Sequence, residues 1–77
     1  MTALEDRHPA TQEKAGWLEP NPNLPPGAPA TVAVMFRDFR DQLLSAVGDG
    51  PQFTIGLQRL IDAKDAVVRQ AIADGRG

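Results

Sequence analysis

The segment PQFTIGLQRLIDAKDAVVRQAI, residues 51–72, decides the fold, because its apolar residues recur at three- and four-residue spacings. This spacing places them on one face of a helix with 3.6 residues per turn. Lys64 lies on that face, four residues after Leu60 and four before Val68. A buried cation needs a partner, because an unpaired charge in an apolar environment is costly. That partner could be an acidic side chain, solvent at the edge of the core or the phosphate of a ligand, and the pattern leaves all three open.

Length and composition restrict the class of protein. A chain of 77 residues has room for one domain, and the absence of cysteine excludes disulfides and thiolate metal sites. The net charge of −2 argues against non-specific binding to a nucleic-acid polymer or a membrane surface. No apolar run approaches the roughly 20 residues that span a bilayer. The N-terminus also lacks the apolar centre of a secretory signal, so we expect a cytoplasmic protein without a membrane partner.

Residues 1–28 are expected to form an extended, partly disordered arm. They contain five prolines, which lack the amide hydrogen and push the preceding residue towards extended geometry. Trp17 and Leu18 are the residues that would dock such an arm onto a helical surface. The alternative for Trp17 is a role in gripping a base or a partner protein.

Two helices follow the arm, over residues 29–47 and 51–73. Proline suits the first turn of a helix, and both segments begin with one. Gly48 suits a left-handed cap at the end of the first helix. Helices joined by so short a turn pack antiparallel, so the predicted fold is an all-α, two-helix antiparallel hairpin. The apolar stripe of the first helix consists of Val32, Met35, Phe36, Phe39, Leu43 and Val47.

The hairpin has more apolar surface than one pair of helices can bury. Its two helices hold sixteen Val, Leu, Ile, Met and Phe residues, and Val34, Leu44 and Ile55 lie off the main stripes. Gly56 is either a local weakness, costing roughly 1 kcal/mol against alanine, or a place of close contact with another helix. We therefore expect a homo-oligomer, a small closed ring or bundle of hairpins.

Catalytic chemistry is not indicated. His8 is the only histidine and lies in the arm, where solvent exposure is the favoured interpretation. There is no metal-ligand cluster, no glycine-rich phosphate loop and no nucleophile next to a base in the sequence. Asp62 and Asp65 each have an arginine at ion-pairing distance along the helix. We therefore expect no enzyme, no cofactor and no metal.

The basic residues are the candidates for ligand binding. In FRDFR, residues 36–40, arginines follow phenylalanines, and Arg69 follows Lys64 by five residues. Such groups could hold a nucleotide by stacking on its base and pairing with its phosphate. In the favoured alternative for 36–40, the phenylalanines are core and the arginines lie over its rim. The candidate ligand-binding residues are Lys64, Arg69, Arg37 and Arg40.

The chain from residue 23 to 72 resembles small helical-hairpin proteins encoded by bacteriophages of actinobacteria. In those proteins a leucine-proline pair precedes a first helix with a phenylalanine and a leucine. A glycine-proline turn follows, then a helix with an alanine-lysine-aspartate motif and a later arginine. The matching residues here are Leu24, Pro25, Phe39, Leu43, Gly50, Pro51, Leu57, Leu60, Ile61, Ala63, Lys64, Asp65 and Arg69.

More distantly, the layout is similar to the hairpin domain of phage anti-defence sponges, whose second helix ends in an arginine-containing segment like VVRQAI, residues 67–72. Those proteins form oligomers and sequester the cyclic nucleotides by which CBASS or Thoeris immunity signals. The resemblance implies a non-enzymatic phage protein that binds a cyclic nucleotide, with Arg69 as the ligand residue carried over. The alternative is an oligomeric protein-interaction or structural module without a small-molecule ligand, in which Lys64 pairs with an aspartate across the interface.

Overall fold

The computed structural model describes residues 4–76 and contains only helices and turns over that range. A 3₁₀ turn at Leu4–Asp6 precedes α1, Pro9–Gly16; α2 is Ala28–Ala46 and α3 is Pro51–Gly75. The all-α prediction is confirmed, and the two predicted helices agree with α2 and α3 to within two residues at each end. None of these helices is both long and apolar enough to cross a membrane.

The prediction of an extended arm is wrong for α1. Only Pro9 lies in this segment, and it occupies the first helical position, where a missing amide hydrogen costs nothing. The His8 side chain caps the helix, because its Nδ1 accepts a hydrogen bond from the Ala10 amide at 3.0 Å. The proline-rich part from residue 17 to 27 forms only turns and bends. Residues 1–3, which belong to the same predicted arm, lie outside the described residues.

The turn between α2 and α3 also differs from the prediction. Gly27, which precedes α2, is the only residue between 4 and 76 whose φ lies in the left-handed region, so Gly48 does not form a left-handed cap. The residue that ends α2, Val47, is extended instead. The carbonyl groups at this helix end have another partner, the side chain of Arg7, and therefore do not need a left-handed residue.

The core lies where α1 and the turn after it meet the hairpin. Its fully buried apolar residues are Ala15 and Leu18 from the N-terminal segment, Ala33 from α2 and Leu57 from α3. Leu18 thus docks the N-terminal segment, as predicted, but the prediction that Trp17 docks it is wrong, because the Trp17 side chain is 65% exposed. The docked segment gives the chain three packed helices where two were expected.

Candidate functional site

Lys64 is buried on α3, and its partners are backbone carbonyl groups. Its side chain is among the buried charged groups, and its Nζ donates to the carbonyl oxygens of Trp17 at 3.2 Å and Glu19 at 2.9 Å. Both carbonyls lie just after α1, where the helix dipole favours a positive charge. Neither an acidic side chain nor a phosphate is needed to explain its burial.

Arg40 binds the same segment from α2. It is buried, and its Nη1 donates to the Ala15 carbonyl at 3.0 Å and to Glu19 Oε1 at 2.7 Å. Its Nη2 donates to Asp41 Oδ1 at 2.8 Å. Burial by itself would lower the pKa of Arg40, but the hydrogen bonds to Glu19 and Asp41 outweigh it and raise the pKa. The guanidinium is therefore a permanent cation held in a network at the end of α1.

Arg7 has the corresponding role at the end of α2, and sequence reasoning missed it. Its Nη1 and Nη2 donate to the carbonyls of Leu44 and Val47, both at 2.8 Å, and its Nε donates to Asp49 Oδ1 at 2.8 Å. The guanidinium also lies 5.7 Å from the centre of the Phe53 ring, within range of a cation–π interaction. No signal in the sequence links a residue in the arm to a helix end about 40 residues later.

Asp49 joins the hairpin turn to the start of α1. Its Oδ2 accepts a hydrogen bond from the His8 amide at 2.9 Å. This bond is the main reason that the pKa of Asp49 lies below its ordinary value, with smaller contributions from the Thr11 hydroxyl and the Arg7 guanidinium. The charged carboxylate therefore favours docking of the N-terminal segment.

The two other candidate residues are more accessible. Arg69 is exposed on α3, and no hydrogen bond or ion pair from its side chain is found within residues 4–76. Arg37 is half-buried and pairs with its neighbour Asp38 at 3.0 Å. Adjacent partners of this kind are solvent-exposed pairs that contribute little to stability.

A cleft of about 520 Å³ lies between α3 and the segment after α1. It brings Lys64 and Arg69 together and is not lined by Arg37 or Arg40. Its volume is in the range of small-molecule sites, about 300–1,000 Å³. Its lining also includes Gly16, Trp17, Glu19, Asn21, Pro22, Leu24, Asp65 and Val68.

The cleft is electrostatically mixed. Two cations line it, together with the carboxylate-bearing residues Glu19 and Asp65. An ammonium group has three donors, and Lys64 uses two of them for the carbonyls after α1, which leaves one without a partner among residues 4–76. No group of three or more histidine, aspartate or glutamate side chains within residues 4–76 could hold a metal ion. An anion would therefore be recognised by Arg69 and by the remaining Lys64 donor.

Comparison with known protein families, curated proteins and solved structures finds no match for this chain. The resemblance to phage hairpin proteins and to sponges therefore stays a prediction from the sequence.

Proposed function

We propose that the protein is a non-enzymatic, oligomeric helical protein of a phage that sequesters a cyclic nucleotide immune signal of the CBASS or Thoeris type. The observation that supports this most is the cleft, because it joins two of the four predicted ligand residues to an exposed indole. The choice of ligand class rests on the resemblance of the hairpin to the sponges.

The cleft suggests how a nucleotide would bind. Trp17 offers an exposed aromatic face for a base, and base–aromatic stacking contributes about 1–3 kcal/mol. Arg69 would pair with a phosphate, and one hydrogen bond to a charged group contributes roughly 1.5–3 kcal/mol. Lys64 would add its third donor. Sequestration requires only this binding, since no bond in the ligand has to be broken.

A titration followed by tryptophan fluorescence tests the proposal. Trp17 is the only tryptophan, so stacking of a base on it should quench the signal directly. The panel consists of cyclic mono-, di- and trinucleotides and cyclic ADP-ribose compounds. Arg69→Met should weaken binding of the active compound at least about tenfold, the loss expected from one charge-assisted contact.

Arg37→Met is the matched control, because Arg37 is also a surface arginine but does not line the cleft. It should leave the affinity unchanged. If no compound quenches the fluorescence at a concentration of about 100 μM, which is 100 times a micromolar dissociation constant, the proposal is contradicted. It is also contradicted if the two substitutions weaken binding equally.

A second candidate is a protein-interaction or structural module without a small ligand. Two of the predicted ligand residues favour it, because they already bind carbonyl groups of the same chain. Arg40 donates to one carbonyl, and Lys64 uses two of its three donors for two others. The equal number of cationic and acidic residues around the cleft points the same way. Absorbance distinguishes the two candidates, because nucleotide carried through purification raises the 260 nm signal above that of one tryptophan.

A further inference from the structure

The cap of α1 requires one ring nitrogen of His8 to be free of a proton. This nitrogen is Nδ1, which accepts the hydrogen bond from the Ala10 amide at 3.0 Å. A neutral imidazole has one donor nitrogen and one acceptor nitrogen, whereas both nitrogens of an imidazolium are donors. The cap therefore places the proton of the neutral ring on Nε2. A second proton, on Nδ1, would remove the acceptor and break the cap.

The position of His8 adds a second penalty to protonation. The N-terminus of a helix carries a partial positive charge, which disfavours a cation there. The usual capping residues, serine, threonine, aspartate and asparagine, keep their acceptor oxygen between about pH 5 and 8. Histidine is the side chain that ordinarily changes its charge in this range. His8 is an exposed residue, so its ring exchanges protons freely with solvent.

Asp49 is the acidic group that faces His8 from the hairpin. A pocket of about 410 Å³ beside His8 is lined by Asp49 and otherwise by Ala10, Thr11, Gly50, Pro51 and Thr54, which do not titrate. No ion pair joins Asp49 to the His8 ring within residues 4–76. The Asp49 carboxylate instead accepts from the Arg7 Nε at 2.8 Å and from the His8 amide at 2.9 Å. Its charge therefore already has two partners, one of them a cation.

The other charged groups near His8 come from its own segment. Glu5 and Asp6 precede it, and Glu13 and Lys14 follow it by more than one helical turn. None of them forms an ion pair with the imidazole ring in the part of the chain that the structure describes. The three carboxylates are exposed, and attraction between exposed charges is screened by salt. The cap and the helix dipole therefore decide the outcome, and both oppose protonation.

We propose that His8 is a pH-sensitive latch for the N-terminal segment. The neutral ring holds the first turn of α1 in place beside the hairpin turn, and protonation opens that turn. The other end of α1 carries Gly16 and Trp17, which line the cleft, so the same proton loosens one wall of the cleft. This inference goes beyond the proposed function and depends on neither the nucleotide nor the oligomer.

Thermal unfolding at pH 8 and pH 5, at one fixed protein concentration, tests the latch with His8→Asn as the matched control. Asparagine is a strong cap whose acceptor does not titrate. The stabilisation by the neutral ring is present at pH 8 and lost as the pH falls through the range of histidine. The Tm of the wild type should therefore fall about 4–8 °C further than that of His8→Asn, as expected for loss of one cap.

The two proteins share every other titrating group, including the terminal amine, so the difference isolates His8. Two spectroscopic measurements complete the test. Nitrogen NMR of the single histidine at pH 8 should show the proton on Nε2. The fluorescence anisotropy of Trp17 should fall from pH 8 to 5 in the wild type and stay constant in His8→Asn.

Three results would overturn the inference. One is a wild type and a His8→Asn variant whose Tm values change in parallel, within 2 °C, between pH 8 and 5. Another is a neutral ring with its proton on Nδ1, which could not accept from Ala10. An anisotropy of Trp17 that does not respond to pH in the wild type would show that the latch does not reach the cleft.

Discussion

Substitution of Lys64 by methionine tests whether this lysine holds the N-terminal segment. Methionine keeps the apolar stem of the side chain and removes the ammonium group. The change eliminates hydrogen bonds to two carbonyls, those of Trp17 and Glu19. Each bond from a charged donor contributes roughly 1.5–3 kcal/mol, but the burial cost of the ammonium is removed at the same time. We expect a net loss of about 2 kcal/mol.

That loss is large for a chain of this length. A stability of about 0.05–0.15 kcal/mol per residue gives roughly 4–12 kcal/mol in total. For a domain of this size, 2 kcal/mol corresponds to a fall in Tm of about 8–16 °C. Thermal unfolding followed by circular dichroism measures it, at one fixed protein concentration because an oligomer melts in a concentration-dependent way.

Arg69→Met on the same helix is the control for this measurement. Arg69 is exposed, and exposed substitutions usually change stability by less than about 0.5 kcal/mol. Lys64→Met should therefore lower the stability, whereas Arg69→Met should leave the stability unchanged and weaken only ligand binding. If Lys64→Met melts within 2 °C of the wild type, the carbonyl contacts do not hold the segment and the structural role assigned to Lys64 is refuted.

Three further predictions concern the ends of the helices. Arg7→Met removes two hydrogen bonds from the end of α2 and should cost about 2–3 kcal/mol, with faster amide hydrogen exchange at Val47; unchanged exchange would refute this role. Because the pKa of Asp49 is lowered in the folded state, its charged carboxylate stabilises the fold; this contribution is fully present above the ordinary pKa of 3.8 and is lost as the pH falls through the lower folded pKa. The stability of Asp49→Asn, measured by denaturation from pH 6 to 2, should therefore depend less on acid than that of the wild type. Gly27→Ala should lower the unfolding free energy by about 1–3 kcal/mol in urea, because φ at this position is +94°, and an unchanged midpoint would argue against this backbone conformation.

The hairpin could be predicted because its signals are local. Apolar spacing and a proline at each helix start lie within a few residues of the elements that they specify. The helix α1 was missed because the prolines around it dominated the interpretation, although residues 10–16 contain none. A cap by His8 is also uncommon, since serine, threonine, aspartate and asparagine are the usual capping residues.

The site was predicted only in part for a different reason. Sequence spacing indicates that Lys64 is buried, but the carbonyl groups that bind it lie 45 and 47 residues away and have no residue-type signature. The same holds for Arg7 and the end of α2. Arg40 and Lys64 were both predicted to bind a ligand, but they converge on the end of α1 and the segment after it. Of the predicted ligand residues, only Lys64 and Arg69 line the cleft.

Native mass spectrometry of the purified protein, alone and with the panel of cyclic nucleotides, tests the central claim most directly. The account predicts an oligomer that gains discrete nucleotide masses, and that Arg69→Met forms the same oligomer without gaining them. An oligomer that ignores every nucleotide, or one that retains the nucleotide after Arg69→Met, would contradict it.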